Sequence, residues 1–285
     1  MNRNPETEPD PIARPPVPWT QPYLERRARI LAQAMRDDDL LARLSARAPL
    51  PEGYGLGLDE RCVEYPWLLA HLPSGHARVL DAGSTLNHAL LLELPVLAEK
   101  QIHIVTLAPE PDCFWRQRVS YVFEDLRELP FKDNLYDVVV AVSTLEHVGC
   151  DNTFYTGNFS STEQRLGDFV IAGRELSRVL KPGGLLLLTV PYGAYQYHGA
   201  FQQFDRQHLS AAEASFGPMT EVSEFFYRYS SAGWQMAADQ ECADSVYVEW
   251  VSALMRSQRW PDAPQCEPDY AAAARAVACV RMVKA

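Results

Sequence analysis

The sequence predicts an α/β protein built around a doubly wound, mostly parallel sheet, and three stretches predict it. Ala77–Glu93, ARVLDAGSTLNHALLLE, opens on the apolar pair Val79-Leu80 and passes through Asp81 and a turn of small residues. It then continues as an apolar helical run. Strand, tight loop and helix in that order form the first half of a βαβ unit. Its loop and helix N-terminus leave backbone N–H groups free around a ligand-sized crevice. Tyr136–Val142, YDVVVAV, is apolar on both faces, as a central parallel strand is. Lys181-Pro-Gly-Gly ends a long amphipathic run and turns directly into Leu185-Leu-Leu-Leu-Thr-Val, with Pro and Gly where helix-stop residues belong.

The elements follow in order. Residues 1–20 are rich in proline and polar side chains, cannot bury much surface, and are expected to be a disordered arm. From Gln21 to Ala48, Leu24, Ile30, Leu31, Ala34, Met35, Leu40, Leu41 and Leu44 recur at helical spacing until Pro49 and Pro51 stop them. Glycines 53, 55 and 57 mark a loop. Asp59 is placed to cap a helix over 60–72, in which Pro66 marks a kink or a break. Residues 21–76 thus read as a helical cap and 77–285 as the main domain, with insertions at 192–204 and 231–269. Within that domain the pattern predicts strands at about 78–81, 101–107, 119–124, 136–142 and 184–190. Helices are expected at about 86–98, 111–117 and 162–180, with a short turn near 144–150. Beyond Pro191, residues 192–204 are aromatic and glycine-rich, as a loop at a strand's carboxyl end is. A helix is expected over about 205–215, strands over 219–229 and 275–285, and irregular chain over 231–269 with Trp234, Trp250 and Trp260.

Composition narrows the function. The chain has 285 residues, 47% of them hydrophobic, enough for one large decorated domain. Its formal net charge of −11, with arginines scattered and lysines few, repels phosphate backbones, so no nucleic-acid partner is expected. No apolar run approaches ~18 residues and no signal segment opens the chain, so membrane insertion is not expected and a cytoplasmic protein is. The six cysteines (Cys62, Cys113, Cys150, Cys242, Cys266 and Cys279) lie far apart without a CxxC pair. This argues against structural zinc and against a disulfide framework. The expected partner is a small molecule; a homodimer is left open.

The order of features resembles the class I S-adenosylmethionine (SAM)-dependent methyltransferases, a Rossmann-like superfamily, over about residues 60–230 and the final strand. Four pieces carry the resemblance: VLDAGST (79–85), FEDLRELPFKDNLYDVVVAVSTLEHV (123–148), RELSRVLKPGGLLLLTVP (174–191) and the late strand pair. The second and third are the specific ones. The resemblance implies a seven-stranded sheet whose last strand runs antiparallel beside the fifth, SAM as cofactor, and a SAM-binding domain over 77–285.

It also implies roles. Asp81 stands at the family's first acid and would organise the amino end of the cofactor, directly or through water. Ala82 and Gly83 let the backbone approach, and the Ser84 and Thr85 hydroxyls would meet the methionine carboxylate. The family's acid-x-Gly-x-Gly-x-Gly is here Asp81-Ala82-Gly83-Ser84-Thr85-Leu86-Asn87. The loop is therefore expected to take a different path, with Asn87 the residue suited to a left-handed conformation. The same loss of glycine speaks against a dinucleotide pyrophosphate. Where the family grips the ribose with an acid, this chain has Thr106. Thr106, Leu107 and Glu110, with Asp112 nearby, are the ribose candidates. Asp125 would accept from adenine N6 and the Leu126 N–H would reach N1.

Ser143 and Thr144 would end the fourth strand beneath the sulfonium. His147 is the expected general base, because an ordinary imidazole pKa near 6.5 suits a hydroxyl proton, with Glu146 orienting it or touching cofactor. His198 and His208 are rival bases. Tyr192, Tyr195, Tyr197, His198 and Phe201, with Phe204, are the expected substrate wall, and Tyr54, Arg61 and Tyr65 a lid from which Arg61 would reach the methionine carboxylate. The expected reaction is methyl transfer to a hydroxyl of a sugar or secondary metabolite. Two other readings stand beside it. Glu146–Tyr155 is similar to a segment of cyclopropane fatty acid synthases and related N-methyltransferases, and the altered loop suits a non-catalytic SAM-fold binding module.

Overall fold

The structure, a computed structural model, describes residues 16–248 and 273–285. The expected arm lies outside it up to residue 15, as do residues 249–269 of the second insertion, with Trp250, Trp260 and Cys266.

The helical stretch predicted over 21–48 is two helices, Gln21–Ala34 (α1) and Asp38–Ala46 (α2). It breaks because Asp37 takes extended backbone and turns its carboxylate to accept from Leu40 N at 3.1 Å, an N-cap that starts a new helix. Arg61–His71 (α3) runs through Pro66 unbroken. Proline removes one helical donor and so frees the carbonyl four residues back, that of Cys62; the Tyr54 hydroxyl donates to that carbonyl instead.

The main domain alternates as expected: Ala77–Ala82 (β1), Lys100–Thr106 (β2), Val119–Phe123 (β3), Tyr136–Val142 (β4) and Leu180–Pro191 (β5). Three helical expectations shrink. The helix over 86–98 is two single turns, Ala89–Leu92 (α4) and Pro95–Ala98 (α5), because Pro95 cannot continue the first and instead opens the second. The helix over 111–117 is a 3-10 turn, Trp115–Gln117. The helix over 162–180 starts late, at Phe169–Val179 (α7), after a short turn Thr153–Thr156 (α6). Residues 192–204 form a small hairpin, Gln196–Tyr197 (β6) with Gln202–Gln203 (β7), followed by helix Arg206–Ser215 (α8). Met219–Ser230 (β8), Gly233–Ala237 (β9), the turn Asp239–Cys242 (α9) and Ala276–Lys284 (β10) complete the chain.

The main sheet has eight strands in the order β3-β2-β1-β4-β5-β10-β8-β9. The first five are mutually parallel; β10 is antiparallel to both β5 and β8 and fills the slot between them. The eighth strand is β9, in the segment expected to be irregular; it pairs antiparallel with β8, from Phe226–Ala237 to Ser230–Gly233. The pleat divides the core. Val138, Val140 and Val142 of β4 face one apolar layer with α1, α2 and α3, while Val139 and Ala141 face another with α7 and α8. The cap is fastened to the far edge of the sheet: Gly57 N donates to Tyr229 Oη at 2.7 Å and Trp234 Nε1 to the Leu58 carbonyl at 3.0 Å. Buried Asp59 pairs with Arg27 at 2.6 Å, and the Glu60 carboxylate accepts from Ala274 N at 3.1 Å.

Candidate active site

Parallel strands bring their carboxyl ends to one edge, where ligands of open α/β sheets bind. Here the residues just beyond β1, β2, β3 and β4 surround a cavity of about 360 Å³, within the range of small-ligand sites. The β1 end contributes Gly83, Ser84 and Thr85, the β2 end Thr106 and Leu107, the β3 end Asp125, Leu126 and Arg127, and the β4 end Ser143, Thr144 and His147.

The first loop winds around Asp81. Its carboxylate is fully buried and accepts from Thr85 N at 3.1 Å and Leu86 N at 2.7 Å. Burial raises its pKa to about 7, against the lowering by those two amides. The expected direct role toward a ligand is therefore not what the geometry gives: Asp81 faces the loop, and neither it nor Ala82 lines the cavity. The left-handed conformation falls on Gly83 and Ser84, with φ of +99° and +69°, and not on Asn87. Thr85 turns its hydroxyl to the Val142 carbonyl at 3.1 Å, while the Ser84 hydroxyl is buried at the cavity without a hydrogen-bond partner. Asn87 and Glu110 are also set apart from the cavity. Asn87 donates to Glu110 at 2.8 Å and accepts from the Tyr121 hydroxyl at 2.7 Å, so the two lock each other behind the loop.

At the β3 end Asp125 is bound by Arg127, whose Nη2 lies 2.6 Å from Oδ2. The same guanidinium reaches Glu163 and Asp168, each at 2.7 Å. These hydrogen bonds hold Glu163 down at about 2 and Arg127 far above its ordinary range. Across the cavity, Ser143 has φ of +44° and donates to Glu64 at 2.7 Å; Thr189 donates to the same oxygen at 2.6 Å. The other Glu64 oxygen pairs with Arg61. Arg61 and Tyr65 of the expected lid do stand in the cavity wall; Tyr54 does not.

His147 borders the cavity, and its Nδ1 lies 2.8 Å from the Ala200 carbonyl. That contact makes Nδ1 the donor and leaves Nε2 as a lone pair in the neutral ring. Burial lowers its pKa to about 4. Glu146 does not orient it: the Ala200 carbonyl does, and Glu146 is buried with Oε2 unpartnered and its pKa pushed well up by burial.

The expected aromatic wall is mostly elsewhere. Tyr192 and Phe204 are in the core, against Phe226 and Phe169 at ring-centroid distances of 5.0 and 4.8 Å. Tyr195 stacks on His208 at 4.3 Å, and His208 is held by the capping carboxylate of Asp205 at 2.6 Å. Tyr197 does not reach the cavity. Phe201 does approach His147, at 5.7 Å, with His198 stacked behind it at 4.7 Å. Unforeseen wall residues are His88, Glu124 and Arg127; Asn152 and Tyr155, from the segment similar to cyclopropane fatty acid synthases, also line the cavity, Tyr155 edge-on to His147 at 5.4 Å. Among the described residues no His, Cys, Asp and Glu group suits a metal, and no helix is long and apolar enough to cross a membrane.

This cavity fits SAM in its chemistry. Val105, Leu107, Leu126 and Val142 give apolar wall for a base, and Ser84 and Arg61 give polar partners for an amino-acid end. Residues 82–188, from the first loop to β5, match the family model described as a methyltransferase domain. Residues 82–188 thus carry a methyltransferase domain. That match, from the first loop to β5, supports a SAM-dependent methyltransferase. No curated protein sequence matches this chain. It is similar to the solved structure of Burkholderia thailandensis 1,6-didemethyltoxoflavin-N1-methyltransferase with bound 1,6-didemethyltoxoflavin and S-adenosylhomocysteine. Identity is 16%, coverage 92% of this chain and 84% of that one, and the TM-score 0.45. It is also similar to the [4+2]-cyclase SpnF, at 18% identity, 89% and 96% coverage and a TM-score of 0.46. A Methanosarcina mazei SAM-dependent methyltransferase gives 13%, 76% and 96%, and 0.44.

Proposed function

We propose that the protein methylates a hydroxyl of a small molecule, a sugar or a secondary metabolite, with His147 receiving the proton. SAM supplies an electrophilic methyl group on its sulfonium when bound. Asp125, steadied by Arg127, and Leu126 would hold the adenine, Thr106 and Leu107 the ribose, and the methionine end would lie along Gly83, Ser84, Ser143 and Thr144. The observation that carries the acceptor reading is the tether of His147 to the Ala200 carbonyl at 2.8 Å in the cavity wall. It fixes the tautomer so that Nε2 carries the lone pair, while burial, against the tether, keeps the ring neutral through the neutral range until the alkylated oxygen gives up its proton. Phe201 and Tyr155 flank the imidazole and would limit water around the acceptor.

Transfer of label from methyl-tritiated SAM to a panel of sugars, phenols and amines tests this. Label on hydroxyls, lost in H147A, is expected. S-adenosylhomocysteine binding with label found only on nitrogen or carbon sinks the hydroxyl assignment.

A second reading is favoured by one contact, that of Tyr155 with His147 beside Glu146. It pairs this segment with the cyclopropane-synthase-like pattern. Methylene transfer to unsaturated acyl chains in lipid vesicles is the outcome that would select it.

A further inference from the structure

We propose that Arg61, held in place by Glu64, binds the α-carboxylate of the cofactor's methionine end, so that the helical cap and not the glycine loop recognises that charge. The inference rests on the methyltransferase reading of the cavity and names a residue for it.

Sheet order gives the cavity a direction. From one side to the other its wall comes from β3 (Asp125, Leu126), β2 (Thr106, Leu107), β1 (Gly83, Ser84) and β4 (Ser143, Thr144). With the base at the β3 side, the amino-acid end falls at the β1 and β4 side. Arg61 is on that side, because its partner Glu64 is bonded to Ser143 beyond β4 and Thr189 of β5.

The loop has little left to offer an anion there. Asp81 consumes the Thr85 and Leu86 amides, Val142 takes the Thr85 hydroxyl, and the Ser84 hydroxyl alone of these is unpartnered. A carboxylate entering such a site needs charge-assisted donors to offset its lost hydration. Two guanidinium groups line the cavity. Arg127 is already surrounded by Asp125, Glu163 and Asp168. Arg61 gives one terminal nitrogen to Glu64 and lies over the Tyr65 ring at 5.9 Å, and its remaining N–H donors have no hydrogen-bond partner among the described residues; its side chain is a quarter exposed. Glu64 has no exposure at all, and its other oxygen is fixed by two hydroxyls. It is a positioning residue: it sets where the guanidinium stands without reaching the ligand.

Calorimetric titration of the full chain with S-adenosylhomocysteine and with its decarboxylated analogue is the test. Wild type should prefer the carboxylated ligand by roughly 10–100-fold, as loss of a charged hydrogen-bonded pair implies. R61Q should lose that preference through weaker S-adenosylhomocysteine binding, with the analogue changed less than about threefold. E64Q keeps an oxygen for Ser143 and Thr189 and should lose part of the same preference. R61K, which keeps the charge, should retain part of it and serves if R61Q does not fold. An unchanged preference in R61Q, or in R61K and E64Q if R61Q is unfolded, overturns the anchor alone. Failure of wild type to bind either ligand removes the methyltransferase reading together with the anchor.

Discussion

Gly83 lies directly against Thr144: a Cβ on Gly83 would stand 2.2 Å from the Thr144 hydroxyl oxygen. The Thr144 hydroxyl is itself committed, donating toward the Ala82 carbonyl at 2.8 Å and the Val142 carbonyl at 3.1 Å, so it ties β1 to β4. Gly83 also carries φ of +99°. We predict that G83A costs roughly 2–4 kcal/mol of stability, from overpacking and backbone strain together. Urea unfolding measures it; a loss under about 0.5 kcal/mol would mean that the contact relaxes freely.

Asp81 is predicted to act on stability first and on ligand only through the loop. D81A leaves two buried amides without an acceptor, at about 1–3 kcal/mol each. Melting temperature and S-adenosylhomocysteine affinity should fall together. Affinity collapsing at unchanged stability would instead make Asp81 a ligand. Its raised pKa has a sign: stability from this carboxyl is present below the ordinary value of 3.8 and is lost as pH rises through about 7. D81N should flatten that loss.

Replacing His147 by Gln is predicted to lower kcat by roughly 10²–10⁴-fold while sparing S-adenosylhomocysteine affinity. Equal loss of both would point to a packing role. Because its folded pKa is about 4 against 6.5, this histidine stabilises the fold above pH 6.5 and ceases to as pH falls toward 4. The slope of stability against pH in that window should be shallower in H147Q.

Arg127 binds three carboxylates, and R127M is predicted to leave Asp125, Glu163 and Asp168 repelling one another. Glu163, depressed to about 2 from 4.5, contributes stability above pH 4.5 that disappears as pH falls through 2. The variant should melt earlier at pH 7 and lose less on acidification. Parallel melting curves from pH 7 to pH 2.5 for wild type and variant would refute this account.

Which features could be read from the chain follows from how local they are. YDVVVAV and the VLDAGST loop declare themselves through neighbours in sequence and become a strand and a turn where expected; Lys181-Pro-Gly-Gly follows the end of α7 as expected but is itself part of β5, where the pairing with β4 shifts between Leu180 and Leu185. Asp125 was legible as a cavity residue for the same reason. The carboxylates that share its Arg127 were not, since Glu163 and Asp168 come 36 and 41 positions beyond that arginine. Glu64 meets Ser143 across 79 residues, and nothing at residue 64 announces a carboxylate beneath a strand end. The aromatic run 192–204 misled for the opposite reason: its composition suits a pocket wall and a core equally, and Tyr192 and Phe204 went to the core. Strand β9 was hidden because a five-residue edge strand has too little periodicity to stand out.

The bonds from Gly57 to Tyr229 and from Trp234 to Leu58 join positions 172 and 176 residues apart. During vectorial synthesis the segment that carries Arg61 and Tyr65 therefore emerges long before the hairpin that seats it. At ~5–20 residues per second the delay is roughly 10–35 s. The nascent parallel half of the sheet passes that interval with its cavity open on one side, and β10, the last strand made, must still wedge between β5 and β8. A ribosome-bound chain stalled before Tyr229 should thus hold cofactor poorly, and the finished chain should gain affinity and protection from proteolysis in one step.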